Sequence, residues 1–204
     1  MRLLHGALII GAAWLAGCNT STNPEAIKAK PAPQEVATSA QQPVYSAHDF
    51  DTVALMPVKL KTHGIALARP ARWTEPATAA GWACREQCAA GFCANYVVTS
   101  MARNPNIALA VYADTIINRV ERRADVEAFR LISSNPQAIN GLPALTVDCK
   151  MLAAKQQLGG IFTLVELPDK LLVITFLGPN DPPKSYVRYR GLYERIIQSI
   201  KPLQ

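Results

Sequence analysis

The chain has 204 residues, of which 50% are hydrophobic and 18% charged, and its formal net charge is +6 at pH 7. That composition excludes a wholly disordered or collagen-like chain and fits one folded domain of about 150 residues beside flanking segments. The basic excess is modest and suits either a solvated surface or contact with anionic lipid headgroups and other acidic material.

At the N-terminus, Arg2 precedes an almost uninterrupted apolar run over residues 3–16. A basic head and a short apolar stretch read as a signal peptide, shorter than the roughly 20 residues of a spanning helix. The run closes on Leu15-Ala16-Gly17-Cys18, and the small residues ahead of the cysteine resemble the lipobox of bacterial lipoproteins. That resemblance implies a lipid (palmitate among its chains) on the Cys18 thiol, which anchors the mature chain to a membrane. The alternatives are a plain secretory signal or an uncleaved anchor. Asn19, where an aspartate would retain such proteins at the inner membrane, implies by the same resemblance the periplasmic face of the outer membrane. Residues 18–51 are rich in Pro, Ala, Ser, Thr and Gln and read as an extended tether. His48-Asp49-Phe50-Asp51 is a solvated lead-in. The expected division is a signal over 1–17, the lipidated cysteine and tether over 18–51, and a single domain over 52–204. Nucleic acid is not an expected partner of an exported chain.

Four further cysteines remain: Cys84, Cys88, Cys93 and Cys149. An even number in an oxidising compartment predicts two disulfides, with three connectivities open. Each connectivity ties Cys149 to one of the other three, closing a loop of about sixty residues worth on the order of 4 kcal/mol in the chain-entropy model. The competing reading is a four-thiolate zinc site, which ordinarily shows two close pairs of cysteines.

Residues 53–56 read as a short edge strand and 64–70 as a strand stopped by Pro70. Residues 74–92 then form a long Ala- and Gly-rich loop carrying Trp82, Arg85, Phe92 and the clustered cysteines. Disulfides would hold it in place, and its length makes these residues the first candidates for partner binding. Two β-branched and aromatic runs, 94–101 and 107–112, flank the turn Arg103-Asn104-Pro105-Asn106 and predict a hairpin. A helix is expected from Asn118 through Val126, Phe129 and Ile132, capped by Asn118 with Glu121 or by Asp125, and ended by Asn135-Pro136.

The last third is patterned more sharply. After the turn Asn140-Gly141, Leu145, Val147, Cys149 and Met151 alternate with Thr146, Asp148 and Lys150, which predicts a half-buried strand. Residues 160–167 and 170–177 are apolar at nearly every position and predict antiparallel strands covered on both faces. Asp181-Pro182-Pro183 supplies a cap and a first-turn proline. Tyr189, Leu192, Tyr193, Ile196, Ile197 and Ile200 follow as one helical stripe, suited to packing on that sheet rather than to a membrane surface.

This order of elements resembles the PsbP-like superfamily and, within it, the DcrB-type periplasmic lipoproteins. The likeness spans residues 60–201. It rests on Arg69-Pro70-Ala71-Arg72-Trp73, on Ile139-Asn140-Gly141-Leu142-Pro143-Ala144, on the hairpin after Gly160, and on the helix ending Ile196-Ile197-Gln198-Ser199-Ile200. It implies an α+β fold, an α/β/α sandwich with a central, mostly antiparallel sheet. It also implies a non-enzymatic binding or assembly-stabilising subunit without a cofactor. The cysteine-bearing loop departs from the superfamily pattern.

Catalytic motifs are missing from the sequence: there is no Gly-x-Ser-x-Gly, no phosphate loop, no His-Glu-x-x-His and no Cys-x-x-Cys. A Ser-His-Asp set would have to use His63 with Ser100 or Ser133, and a glycosidase pair would have to join Asp148 and Glu166. The expected function is therefore protein binding by a lipid-anchored envelope protein, as an accessory or assembly factor. An immunity or inhibitor protein is a variant of that reading. An envelope hydrolase or a small-ligand carrier is the rival from a different class.

Overall fold

A computed structural model describes residues 52–78, 81–88, 92–181 and 185–203. The expected signal, Cys18, the tether and the prolines at 182 and 183 lie outside the described residues. Among the described residues no helix is long and apolar enough to cross a membrane.

Two antiparallel sheets and two helices build the domain. Strands β1 (Leu55–Leu60) and β2 (Ile65–Pro70) pair, and the C-terminal β9 (Lys201–Pro202) adds to β2. The larger sheet contains β3 (Trp82–Arg85), β4 (Asn95–Ala102), β5 (Val126–Ile139), β6 (Leu142–Ala153), β7 (Gln156–Glu166) and β8 (Lys170–Pro179). Its order is β3-β4-β8-β7-β6-β5, with every neighbouring pair antiparallel. Helix α1 (Leu109–Glu121) covers one face, while α2 (Arg190–Gln198) and the small sheet cover the other. The domain is thus an α+β sandwich with a central antiparallel sheet, as the superfamily likeness implied.

Residue alternation sorts the core into two clusters. Val147, Phe162, Leu164, Leu171 and Val173 meet Ala113, Ile116 and Val120 of α1. On the reverse face, Ile161, Val165, Leu172, Ile174 and Phe176 meet Leu192, Tyr193, Ile196 and Ile197 of α2. Burying each large aliphatic side chain contributes about 2 kcal/mol. At Gly159 a Cβ would lie 2.1 Å from the Tyr186 ring, so the aromatic rests on β7 only because that residue has no side chain.

The middle of the chain differs from expectation. Residues 107–112, expected as a strand, lead into and begin α1, and the expected helix through Ile132 is the strand β5. Ala113, Ile116 and Val120 recur at helical spacing and bury against the sheet, so the helical stripe starts earlier than Asn118. In β5, bulges between Val126 and Ala128 and between Leu131 and Ser133 break the two-residue period that marks a strand. Pro136 lies within β5, which is tolerated because β5 is an edge strand. The long loop holds a strand as well: β3 pairs with β4, and Thr74 bridges to Arg85.

The expected disulfide pattern is also corrected. Cys88 pairs with Cys93, while Cys84 and Cys149 are free buried thiols. Cys84 belongs to the cluster under α2 and Cys149 to the cluster under α1. The sheet separates them, so neither a bridge nor a four-thiolate zinc site can join them. Burial pushes both thiols up to about 12. Alkylation of the native protein should therefore spare Cys84 and Cys149 and modify both after unfolding, as peptide mass spectrometry would show. Breaking the short Cys88–Cys93 loop should cost about 2 kcal/mol in a denaturation experiment with reductant, half the value expected of a long-range bridge.

Candidate functional site

β5 forms one long edge of the large sheet, and of its 14 residues only Ile139 is buried. The bulge after Leu131 leaves Leu131 and Ile132 exposed at 47% and 46%, two large apolar side chains side by side on an edge strand. Along the same strand, on the face that carries α2, a cleft of about 290 Å3 opens between strand and helix. Asn135 and Gln137 wall it on the strand side, and Arg190, Glu194, Ile197 and Gln198 on the helix side. Thr146, Ile161, Thr163 and Tyr193 form its floor.

Two hydrogen-bonded rows hold the polar groups in place. In the first, Gln137 Nε2 donates to Thr146 Oγ1 at 2.6 Å, the hydroxyls of Thr146 and Thr163 meet at 2.9 Å, and Tyr193 OH donates to Thr163 Oγ1 at 2.8 Å. In the second, Asn135 Nδ2 donates to Ser133 Oγ at 3.1 Å and Ser133 Oγ donates to Asp148 Oδ2 at 2.9 Å. Arg190 pairs with the same carboxylate oxygen. Asp148 is 3% exposed, and its Oδ1 has no hydrogen-bond partner among the described residues. Burial draws the Arg190 pKa down, but the Asp148 carboxylate more than offsets it and holds it above the usual arginine value. Burial pushes the Tyr193 hydroxyl well above the ordinary tyrosine range, so it stays a neutral donor.

The residues expected to bind a partner sit at the other side of the sheet. Trp82 lies on β3, donates through Nε1 to Glu75 Oε2 at 2.9 Å, and packs 5.4 Å from the Tyr96 ring in the cluster under α2. Phe92 packs against the cluster under α1. Arg85 reaches the Cys93 sulfur at 3.5 Å. Trp82 and Phe92 are therefore half-buried anchors for opposite faces and do not form one patch. Cys18 lies outside the described residues.

The structure brings His63 and Ser100 together, with Nδ1 and Oγ 3.1 Å apart. Burial, then the charge of Lys170, lowers the His63 pKa and keeps the imidazole neutral. A catalytic carboxylate would stabilise an imidazolium, whereas a lysine opposes it. The bond ties the turn Lys61–His63 to β4. Ser133 instead donates to Asp148. Asp148 and Glu166, the other conceivable catalytic pair, cannot meet. Asp148 is paired with Ile161 on the α2 face, while Glu166 is paired with Leu171 on the α1 face and bonds Arg103 at 2.9 Å.

Sequence reasoning missed the cleft because it placed residues 126–132 in a helix. Ser133, Asn135 and Gln137 alternate at the strand period and are the signal that could have found its outer wall. Glu194 and Gln198 occupy the polar side of the recognised α2 stripe, where nothing in the sequence distinguishes them from a solvated face.

Two outcomes follow from this geometry. Arg190→Ala should destabilise the fold by about 2 kcal/mol, because it leaves the Asp148 charge buried and unpaired, and Arg190→Ala with Asp148→Ser should restore much of the loss in a urea melt. Acid should also weaken the fold. His63 titrates lower in the folded state than unfolded, so the unfolded chain binds the extra proton first. Stability should fall as pH drops below about 6.5. His63→Gln should flatten that part of the stability–pH curve.

No family model matches the chain, and no curated protein does. Solved structures do resemble it. The cyanobacterial PsbP protein CyanoP of Synechocystis aligns with a TM-score of 0.58 at 13% identity, covering 74% of this chain and 93% of its own. The Ran-binding protein Mog1p of Saccharomyces cerevisiae aligns at 0.58 and 12% identity, covering 75% and 97%. LpqN of Mycobacterium tuberculosis, described as involved in cell envelope biogenesis, aligns at 0.54 and 14% identity, covering 80% and 100%. At these identities the likeness speaks for the backbone alone, and on that ground the domain has the PsbP/Mog1-like α+β fold.

Proposed function

We propose that this protein is exported, held by lipid on Cys18 at the periplasmic face of the outer membrane, and acts without catalysis by binding another envelope protein as an accessory or assembly factor. The observation that carries the binding role is the adjacent pair Leu131 and Ile132, 47% and 46% exposed on a strand whose outer edge pairs with no described strand. Strand edges are ordinarily blunted by charge or cover, and an apolar pair left open there invites a partner that buries it. Strand addition or an apolar contact from a second protein would do so. The lipobox resemblance and the tether composition support the envelope placement. Two proteins on the same fold support the role: Mog1p is named for binding Ran, and LpqN for cell envelope biogenesis. Trp82, Arg85 and Phe92, at the far side of the sheet but divided between its faces, are the next residues to test.

In-cell cross-linking of the full chain should capture one dominant envelope protein. Leu131→Glu with Ile132→Glu should abolish that capture while moving stability by no more than about 0.5 kcal/mol, as expected of surface changes. Capture that survives this variant but is lost with Trp82→Ala and Phe92→Ala would move the contact to the other edge. Turnover of an ester, lipid or peptidoglycan substrate that disappears in His63→Ala would overturn the non-catalytic reading.

A further inference from the structure

The geometry points to the cleft between β5 and α2 as a binding site for an uncharged, hydroxyl-rich ligand about the size of one sugar ring. This site goes beyond the protein contact at Leu131 and Ile132 and rests on different residues.

Size comes first. A cleft of about 290 Å3 stands just under the size at which drug-sized ligand sites begin, about 300 Å3, so it admits a single small ring rather than a lipid chain. Shape is combined with fixed chemistry. The Gln137–Thr146–Thr163–Tyr193 row holds the floor and one wall before any ligand arrives, which reduces the ordering cost of binding.

The free hydrogen-bonding groups combine amide and carboxylate acceptors with amide N–H donors, because Gln198 lines the cleft beside Asn135, Gln137 and Glu194. Asn135 and Gln137 each commit one of their two amide N–H donors, to Ser133 and Thr146, and among the described residues their carbonyl oxygens accept no bond. The Glu194 carboxylate also lines the cleft, is exposed, and makes no hydrogen bond among the described residues. Acceptors and N–H donors along one small cleft suit hydroxyl groups, each of which both donates and accepts. Ile161 and Ile197 supply apolar contact of the kind the C–H face of a sugar ring presents.

Charge excludes the anionic alternatives. Arg190, the cation among the lining residues, is paired with Asp148 and also feels the charge of Glu194, so one cation stands against two carboxylates and the cleft keeps a net negative charge. A phosphate or a carboxylate would be repelled there. A neutral polyol would donate to Glu194 and gain a charge-assisted bond.

The test is a titration of the isotope-labelled full chain in detergent micelles with N-acetylglucosamine, glucose and glucose phosphate, read on side-chain amide signals. The neutral sugars should shift the amides of Asn135, Gln137 and Gln198 saturably, and the phosphorylated sugar should do so far more weakly. Glu194→Gln should weaken the neutral sugars by about tenfold, since a bond to a charged acceptor is lost. Gln137→Trp, an exposed change that fills the mouth, should abolish the shifts without altering the melt. Competition by chitin oligosaccharides would assign the ring to a glycan chain, and its failure to a free sugar. Leu131→Glu with Ile132→Glu should leave the sugar shifts intact, so loss of the protein contact and loss of this site are read separately. No saturable shift of these amides at about 50 mM sugar, far above a millimolar dissociation constant, would overturn the proposal. So would preference for the phosphorylated sugar, or shifts that Glu194→Gln and Gln137→Trp leave unchanged.

Discussion

Everything in this domain depends on two central strands that are apolar on both sides. β7 is buried from Leu158 to Val165, and β8 over most of its length. Such strands must be covered twice, once on each face. α1 supplies one cover. α2 and the small sheet supply the other, and the C-terminal β9 returns to pair with β2 beneath them. The close contact of Tyr186 with Gly159 serves the same need, since it brings an aromatic ring directly onto the backbone of β7.

The same two-sidedness sorts the reactive and aromatic residues. Cys84 falls on one side of the sheet and Cys149 on the other, so the only cysteines that can meet are the local pair Cys88 and Cys93 among the four in the domain. Trp82 and Phe92 are divided in the same way. So are Asp148 and Glu166, each paired with a different arginine. Chemistry that would need these residues together is removed by the sheet itself.

The cleft has an equally simple origin. A helix about 10 Å wide covers only about two strands spaced about 4.8 Å apart. α2 spends its apolar stripe on the centre of the sheet, and the small sheet takes the side toward β4. The far side, where β5 and β6 pair, is left open on that face. There the sequence places Asn135, Gln137, Thr146 and Thr163 beside Ile161, and Arg190, which pairs with Asp148, lines the helix side.

The sequence by itself determined the elements whose pattern is local and strong. The alternation in β6, the unbroken apolar runs of β7 and β8, and the six-residue stripe of α2 each carry their period in a few adjacent residues. They also specify which faces must be covered. Between residues 107 and 132 the local signal misled, because a short apolar run does not distinguish helix from strand and the bulges of β5 disrupt its period. Tertiary structure alone decided the cysteine pairing, the partner of Asp148, the separation of Trp82 from Phe92, and the cleft. Each of these turns on which face of the sheet a residue occupies and what lies across from it. Those are relations between residues tens of positions apart, and no local pattern encodes them.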